Sequence, residues 1–251
     1  MFVNEFAMPE GPTIILLKEE VAPFKGKKIL KANGYAEIDH SAITNKKIID
    51  LKTWGKHFLI CLKKNQTIRI HFLLFGSYLI NKRKKTNPRL QLQFAKGEIN
   101  FYMSSIKILD GDLDEIYDWS ADVMNEEWDE DKARRKLTDQ KDMLVCDALL
   151  DQDIFAGVGN VIKNEVLYRL GIHPLSAVGA LPKSKISQLI KEVRKYSFEF
   201  LEWKRKGTLK SQWKVHRQQE CPKHEIPLCI RVLGKTKRKA YYCEKCQVLY
   251  V

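Results

Sequence analysis

The chain has 251 residues, 44% of them hydrophobic, with a formal net charge of +13. That length and apolar share suit one large or two modest domains with a real core and exclude a chain disordered throughout. No run of 18 apolar residues occurs, and the first residues lack both a basic and a long apolar stretch, so neither a membrane-spanning helix nor a secretory signal is expected.

In chain order, the first feature is Met8-Pro9-Glu10-Gly11-Pro12, followed by a predicted helix over Thr13–Val21 that Glu10-Gly11-Pro12 opens, with Pro tolerated in the first turn. If processing exposes Pro9, the chain begins with a secondary amine beside a carboxylate. That pair can form an imine with a sugar aldehyde carbon and move protons around it. An α-amino group titrates near 7.7–8.0 and a lysine near 10.4, so at pH 7.5 the free base is about a third of the former and about 0.1% of the latter. Inside a peptide bond Pro9 has no nucleophilic nitrogen. The pair is then a plain helix start with an acid near the positive end of the dipole.

From Phe24 to Phe101 short β-rich runs recur: Ile48–Leu51, Phe58–Leu62, Thr67–Phe72, Leu90–Phe94 and Ile99–Met103. Turn clusters at 63–66 and 84–88 separate them, which predicts an antiparallel sandwich or barrel. Residues 110–131 hold 11 acids in 22 positions and mark a boundary. Beyond it the pattern turns helical: Lys141–Leu150, a break at Asp151-Gln152-Asp153, Val161–Leu170 closed by Gly171 and Pro174, and a long amphipathic helix over Lys183–Lys204. Gly157-Val158-Gly159-Asn160 is a glycine-rich turn before a helix. Its backbone N–H groups can hold a phosphate and Asn160 adds a side-chain donor; a tight turn with an N-capping Asn is the bland alternative, compatible with the first.

Residues 201–251 hold 13 Lys or Arg against four Asp or Glu. A basic excess of this kind favours nucleic acid, with a merely soluble basic surface as the bland alternative. Six cysteines stand at 61, 146, 221, 229, 243 and 246. Four crowd into the last 31 residues, which suits a metal site better than a disulfide framework. Cys221-Pro-Lys-His224 and Cys243-Glu-Lys-Cys246 each put two ligands on one tight turn. Together they give a closed structural Zn2+ site of three thiolates and one imidazole, around a hairpin too small to hold itself by burial. Cys229 could replace His224, whose spacing from Cys221 matches the second pair. No coordination position is left open, so the metal is not the catalyst. Cys61 and Cys146 sit in apolar runs and read as core residues.

The ordered set of Pro9-Glu10-Gly11-Pro12, Gly55-Lys56-His57 on a strand, His71–Ser77, Asp151-Gln152, Gly157–Asn160, Asn164-Glu165, Gly171–Pro174 and Arg238–Cys243 with Cys246-Gln247 resembles the formamidopyrimidine-DNA glycosylase/endonuclease VIII family of base-excision repair enzymes, closer to endonuclease VIII. The resemblance implies an α+β fold: an N-terminal antiparallel β-sandwich with flanking helices (8–118), a helix–two-turn–helix domain (119–210) and a C-terminal zinc-finger hairpin (211–251). It implies Pro9 as the nucleophile, Glu10 as the proton-transfer group and Lys56 as a strand lysine on the phosphate next to the lesion. Gly159, Asn160 and Arg238 are implied to grip the DNA backbone. Leu73, Leu74 and Phe75 are implied to fill the hole left by a flipped base, with Leu74 the foremost; strand core residues are the bland reading. Thr13 departs from the family, which has an acid there, and should touch active-site electrostatics or base choice. His224 replaces the usual second cysteine.

The expected activity is a bifunctional DNA glycosylase/AP lyase that removes oxidised bases, preferably pyrimidines, through an N-terminal proline Schiff base and β,δ-elimination. The alternatives are formamidopyrimidine/8-oxoguanine-type purine specificity, or a catalytically silent damaged-DNA-binding protein if residues 1–7 are retained. The expected partner is double-stranded DNA with a damaged base or abasic site, bound by a monomer in the cytoplasm, at a bacterial nucleoid, with no membrane.

Overall fold

The computed structural model describes residues 9–251, apart from the side chain of Leu74. Contacts divide the chain into two compact units, one ending at Tyr117 and one running from Asp118 to Val251.

The first unit contains α1 (Gly11–Val21), β1 (Lys31–Asn33), α2 (His40–Ile43), β2 (Ile48–Trp54), β3 (His57–Leu62), β4 (Gln66–Ile80), β5 (Leu90–Gln93), β6 (Glu98–Asp110) and α3 (Leu113–Ile116). All six strands join one antiparallel sheet in the order β1-β5-β6-β4-β3-β2. β4 and β6 pair along most of their length. The first half of β4 also pairs with β3, and the first half of β6 with β5. Ile60, Ile68 and Ile70 from one end of the sheet and Leu90, Leu92 and Phe101 from the other belong to a single apolar cluster, joined by Ile14, Leu17 and Val21 of α1. The expected sandwich is therefore one continuous sheet whose two halves share a core.

β4 is longer than its sequence suggests. Its register with β6 runs unbroken to Phe72, is lost across Leu73–Gly76, and resumes at Ser77. A register break hides the second half of a strand from any period-2 reading.

The second unit contains α4 (Glu130–Asp139), α5 (Val145–Ala148), α6 (Asn160–Leu170), α7 (Lys183–Arg205), α8 (Leu209–Gln212), β7 (Cys229–Leu233) and β8 (Arg238–Tyr242). α7 buries Ile186, Leu189, Ile190, Val193, Tyr196, Ser197, Phe200 and Leu201, a stripe at helical spacing, and packs on α4 and α6. The helix expected over Lys141–Leu150 is shortened to Val145–Ala148. The Val145 N–H donates to Ser176 O (2.9 Å), and Lys141 O and Met143 O accept from Gly179 N (2.8 Å) and Val178 N (2.9 Å). Pairing with 176–179 thus satisfies the backbone that would otherwise have made helical bonds. The chain end is fastened the same way: Val248 N donates to Gly171 O (2.8 Å) and His173 N to Val248 O (2.9 Å).

Three of the acids at 110–131, Asp112, Asp118 and Asp129, hold local structure. Asp112 accepts from Asp114 N, and Asp129 from Asp131 N and Lys132 N, which caps α3 and α4. Asp118 pairs with Lys132 (2.9 Å) and Lys136 (3.0 Å). Burial would raise its carboxyl, but bonds from Ser120 and the two lysines hold it well below the ordinary carboxylate range.

Candidate active site, nucleic-acid interface and metal centre

Pro9 is half-buried and Glu10, its neighbour, is 1% exposed. Glu10 is the N-cap of α1 in an extended conformation. Its N–H donates to Thr13 Oγ1 (3.1 Å), and that hydroxyl donates to Glu10 O (2.7 Å). Thr13 is buried and serves the helix start through this reciprocal pair. A carboxylate in such a position is stabilised by the amino-terminal end of the helix. Met8, the first residue of the five-residue run, lies outside the described residues.

α1 packs against β2 and β3. Between those strands Trp54 pairs with His57, so Gly55 and Lys56 form the two-residue turn of a hairpin. Lys56 was expected on a strand; it sits in the turn, because Gly55, at φ +51°, lets the chain reverse there. Beside it stands an aromatic group. The His57 and His71 rings meet edge to face at 5.0 Å, Trp54 lies 5.1 Å from Tyr117, and His57 Nδ1 is 3.2 Å from the Tyr117 hydroxyl. Burial, then the positive charges of His71, Arg69 and Lys56, push His57 down to about 3. His57 is therefore neutral at physiological pH, within a positively charged corner of the sheet.

Leu73 and Phe75 are 51% and 67% exposed on the irregular stretch of β4. For these two the strand-core reading fails, because large apolar side chains on a soluble surface are not core. The Leu74 side chain lies outside the described residues.

In the second unit, Gly159 is the N-cap of α6 and Asn160 its first helical residue, which corrects the expectation of an Asn cap. Asn160 Nδ2 donates to Lys239 O on β8 (3.0 Å), and Asn164 Nδ2 lies 3.4 Å from the same oxygen. The amino-terminal end of α6 is thereby tied to the strand that begins with exposed Arg238. Glu165, fully buried, accepts from Lys214 N (2.9 Å), Val215 N (2.9 Å) and His216 N (2.8 Å). Burial raises its carboxyl, and those three N–H groups oppose the rise. It fixes the chain entering the last module.

That module gathers Cys221, His224, Cys243 and Cys246, whose ligand atoms all lie within 4.8 Å of one another. Sulfur–sulfur separation is 3.6 Å for Cys221 and Cys246, and His224 Nδ1 lies 3.3 Å from Cys246 Sγ and 3.7 Å from Cys243 Sγ. Cys229 is not in the group. It starts β7 opposite Tyr242, and burial with a Glu244 contact raises its thiol. Burial together with the Cys221 and Cys243 neighbours raises the Cys246 thiol, whereas bonds from Tyr168, two backbone N–H groups and Cys243 outweigh burial at Cys221 and lower it to about 6. Cys61 and Cys146 are core residues, 7% and 3% exposed.

Several residues here carried no clear signal in the sequence. Asp147 accepts from Lys235 N and Thr236 N, 88 and 89 positions away. Lys163 is 1% exposed on α6 and Met103 is exposed on β6.

Residues 8–105 match the family model described as the formamidopyrimidine-DNA glycosylase N-terminal domain, and residues 120–211 that described as the formamidopyrimidine-DNA glycosylase H2TH domain. Endonuclease 8-like 3 of Xenopus laevis is 30% identical over 232 residues, covering 87% of this chain. The chain spans only 38% of that relative's length. A formamidopyrimidine-DNA glycosylase of Carboxydothermus hydrogenoformans is 26% identical over 270 residues, covering 96% of this chain and 100% of that one. Among solved structures, Lactococcus lactis formamidopyrimidine DNA glycosylase, non-covalently bound to DNA containing an AP site, superposes with a TM-score of 0.83 at 19% identity, over 95% of this chain and 99% of that one. With both family domains matched in order and the four-ligand cluster behind them, the chain belongs to the formamidopyrimidine-DNA glycosylase/endonuclease VIII family.

Proposed function

We propose that this protein is a DNA glycosylase of base-excision repair that removes oxidised bases, preferably pyrimidines, and cuts the strand at the resulting abasic site. The observation that carries the reading is Pro9 next to a 1%-exposed Glu10 at the start of α1, in the segment where the family match begins. With residues 1–8 removed, the Pro9 nitrogen attacks C1′, and the base leaves with the electrons of the glycosidic bond and a proton. Glu10 protonates the ring oxygen as the sugar opens, leaving a cationic iminium between Pro9 and C1′. The cation acidifies the C2′ proton. Its loss expels the 3′ phosphate, and a second elimination expels the 5′ phosphate. Hydrolysis of the imine returns the free amine.

Duplex DNA is the proposed partner, bound by a monomer. Lys56, the N–H groups near Gly159 and Asn160, and Arg238 would hold phosphates, with Arg238 suited by its fork geometry. Zn2+ is the metal proposed for Cys221, His224, Cys243 and Cys246. Tetrahedral zinc with Zn–S near 2.3 Å spaces its sulfurs about 3.8 Å apart, close to the 3.6 Å between Cys221 and Cys246. The metal would fold the module and take no part in the chemistry.

A panel of duplexes with oxidised pyrimidines, 8-oxoguanine and a preformed abasic site, assayed on protein starting at Pro9, tests the reading. Excision of pyrimidine lesions with strand cleavage is expected; excision of purine lesions alone would move the protein to the other branch. Intact mass of the native protein checks the amino terminus. A mass that includes residues 1–7 with no excision would make it a damaged-DNA-binding protein.

A further inference from the structure

Between β4 and β5 the segment Asn81–Arg89 carries five basic residues and no acid in nine positions. A connection of that composition is ordinarily loose and solvated. This one is fastened along its length. Asn81 N donates to Glu98 O (3.0 Å), and Asn81 Oδ1 accepts from Glu98 N (2.9 Å). Asn100 Nδ2 donates to Lys82 O (2.9 Å). Arg83 grips the Glu98 carboxylate with both Nε (2.7 Å) and Nη2. Lys84 N donates to the Tyr102 hydroxyl (3.0 Å), and Lys84 Nζ to Ser77 Oγ (2.7 Å). Arg89 closes the segment, its N donating to Phe101 O (2.7 Å) and its Nη1 to Tyr35 O (3.0 Å).

The sheet beneath is built for this hold. Gln91 of β5 and Asn100 of β6 face each other across the ladder, 5% and 0% exposed. Buried amides cost free energy unless they are bonded. Asn100 accepts from Gln91 Nε2 (2.9 Å) and donates to Lys82 O and to Glu98 Oε1 (2.9 Å). The buried polar row therefore ends on the main chain of the basic segment and on the carboxylate that grips Arg83. Glu98 neutralises Arg83, and Lys84 is occupied by Ser77 and lies over the Tyr102 ring (5.1 Å). Lys82 and Lys85 remain. Both are exposed, and among the described residues neither pairs with a carboxylate. Two ammonium groups thus stand on a backbone that is already ordered. Cations held in place lose less freedom on binding than those of a mobile loop, and they suit a polyanion.

We propose that Lys82 and Lys85, held out by the anchored segment Asn81–Arg89, form a further phosphate-backbone contact of the first unit that takes duplex DNA of any sequence, damaged or intact. The inference rests on duplex binding in the reading above, but it requires no chemistry at Pro9. Arg83 and Glu98 are positioning residues for this contact.

The test measures the affinity of the full chain for an undamaged duplex as salt is raised. Each phosphate contact contributes about −0.9 to the slope of log affinity against log salt, so Lys82→Ala/Lys85→Ala is expected to make that slope shallower by about two. Between about 50 and 200 mM salt the variant then loses roughly tenfold less affinity than wild type. Lys27→Ala/Lys63→Ala removes the same charge from two exposed positions elsewhere in the unit and is expected to keep the wild-type slope. Equal slopes for the two double variants, or an unchanged slope for Lys82→Ala/Lys85→Ala, would overturn the inference. Glu98→Gln separates an anchored site from diffuse charge. It raises the net charge by one, so diffuse charge alone would tighten binding; loss of the grip on Arg83 is expected to weaken it, and tighter binding would contradict the anchored site. A duplex with a preformed abasic site is run beside the undamaged one. Failure of wild type to bind either duplex faults the duplex reading itself, whereas binding of both with no effect of the Lys82 and Lys85 changes faults only the inference.

Discussion

Asp147 shows how much one carboxylate can organise. It is 7% exposed, and it accepts from Lys235 N (2.9 Å), Thr236 N (3.2 Å) and Thr236 Oγ1 (3.0 Å), which pins the loop before Arg238. Gly234 precedes that loop at φ +69°, and a Cβ there would lie 2.3 Å from Asp147 Oδ1. Asp147→Ala leaves these donors unpaired and is expected to cost about 1–3 kcal/mol in thermal or denaturant unfolding at fixed zinc, with weaker DNA binding because Arg238 loses its support. Unchanged stability would remove Asp147 from this role. His216 gives a pH signature. It is 1% exposed, its Nδ1 is 3.2 Å from Asn164 Nδ2, and burial followed by the charges of Arg217 and Lys163 pushes it down to about 3. The unfolded histidine titrates near 6.5, so between pH 6.5 and about 3 the unfolded chain binds a proton that the folded chain refuses. Stability from this group is present above pH 6.5 and falls as pH drops through that window. His216→Gln is expected to flatten the dependence of melting temperature on pH between 6.5 and 4; a slope equal to wild type would contradict it.

At the scale of elements, the β7–β8 hairpin has little of its own to hold it. Its apolar cluster is Val215, Cys221, Leu228 and Cys243, and two of these are metal-site cysteines. Chelation is expected to open residues 221–251 to hydrogen exchange while β2–β6 stay protected; full protection after verified metal loss would refute a structural metal. The same contrast explains what the sequence made legible. The ligand pairs were readable because their spacing is local, and α7 because eight buried positions repeat at helical period. The second half of β4 was not, because the shift at Leu73–Gly76 breaks its register. The Gly55-Lys56 turn looks like strand in the sequence because Trp54 and His57 flank it with strand-like residues. The apolar spacing over 141–150 predicts one helix, but Ser176–Gly179 claims its backbone. Asp147 and Met103 depend on partners distant in sequence or on a bulge, and no local pattern announces either.

At the scale of the molecule, a net charge of +13 and the basic excess over 201–251 imply binding dominated by phosphate. DNA affinity is expected to fall steeply and linearly on logarithmic axes as salt rises, with Arg238→Ala reducing the slope by about one; a flat dependence would contradict a phosphate clamp. The proposed chemistry requires, above all, that the nitrogen of Pro9 be free beside buried Glu10. Borohydride reduction in the presence of DNA carrying an oxidised pyrimidine tests this most directly. Protein starting at Pro9 is expected to give a covalent DNA adduct that peptide mapping assigns to Pro9, strongly reduced in Pro9→Gly and absent when residues 1–8 are retained. An adduct on a lysine, or none with oxidised pyrimidine, oxidised purine or abasic DNA, would contradict it.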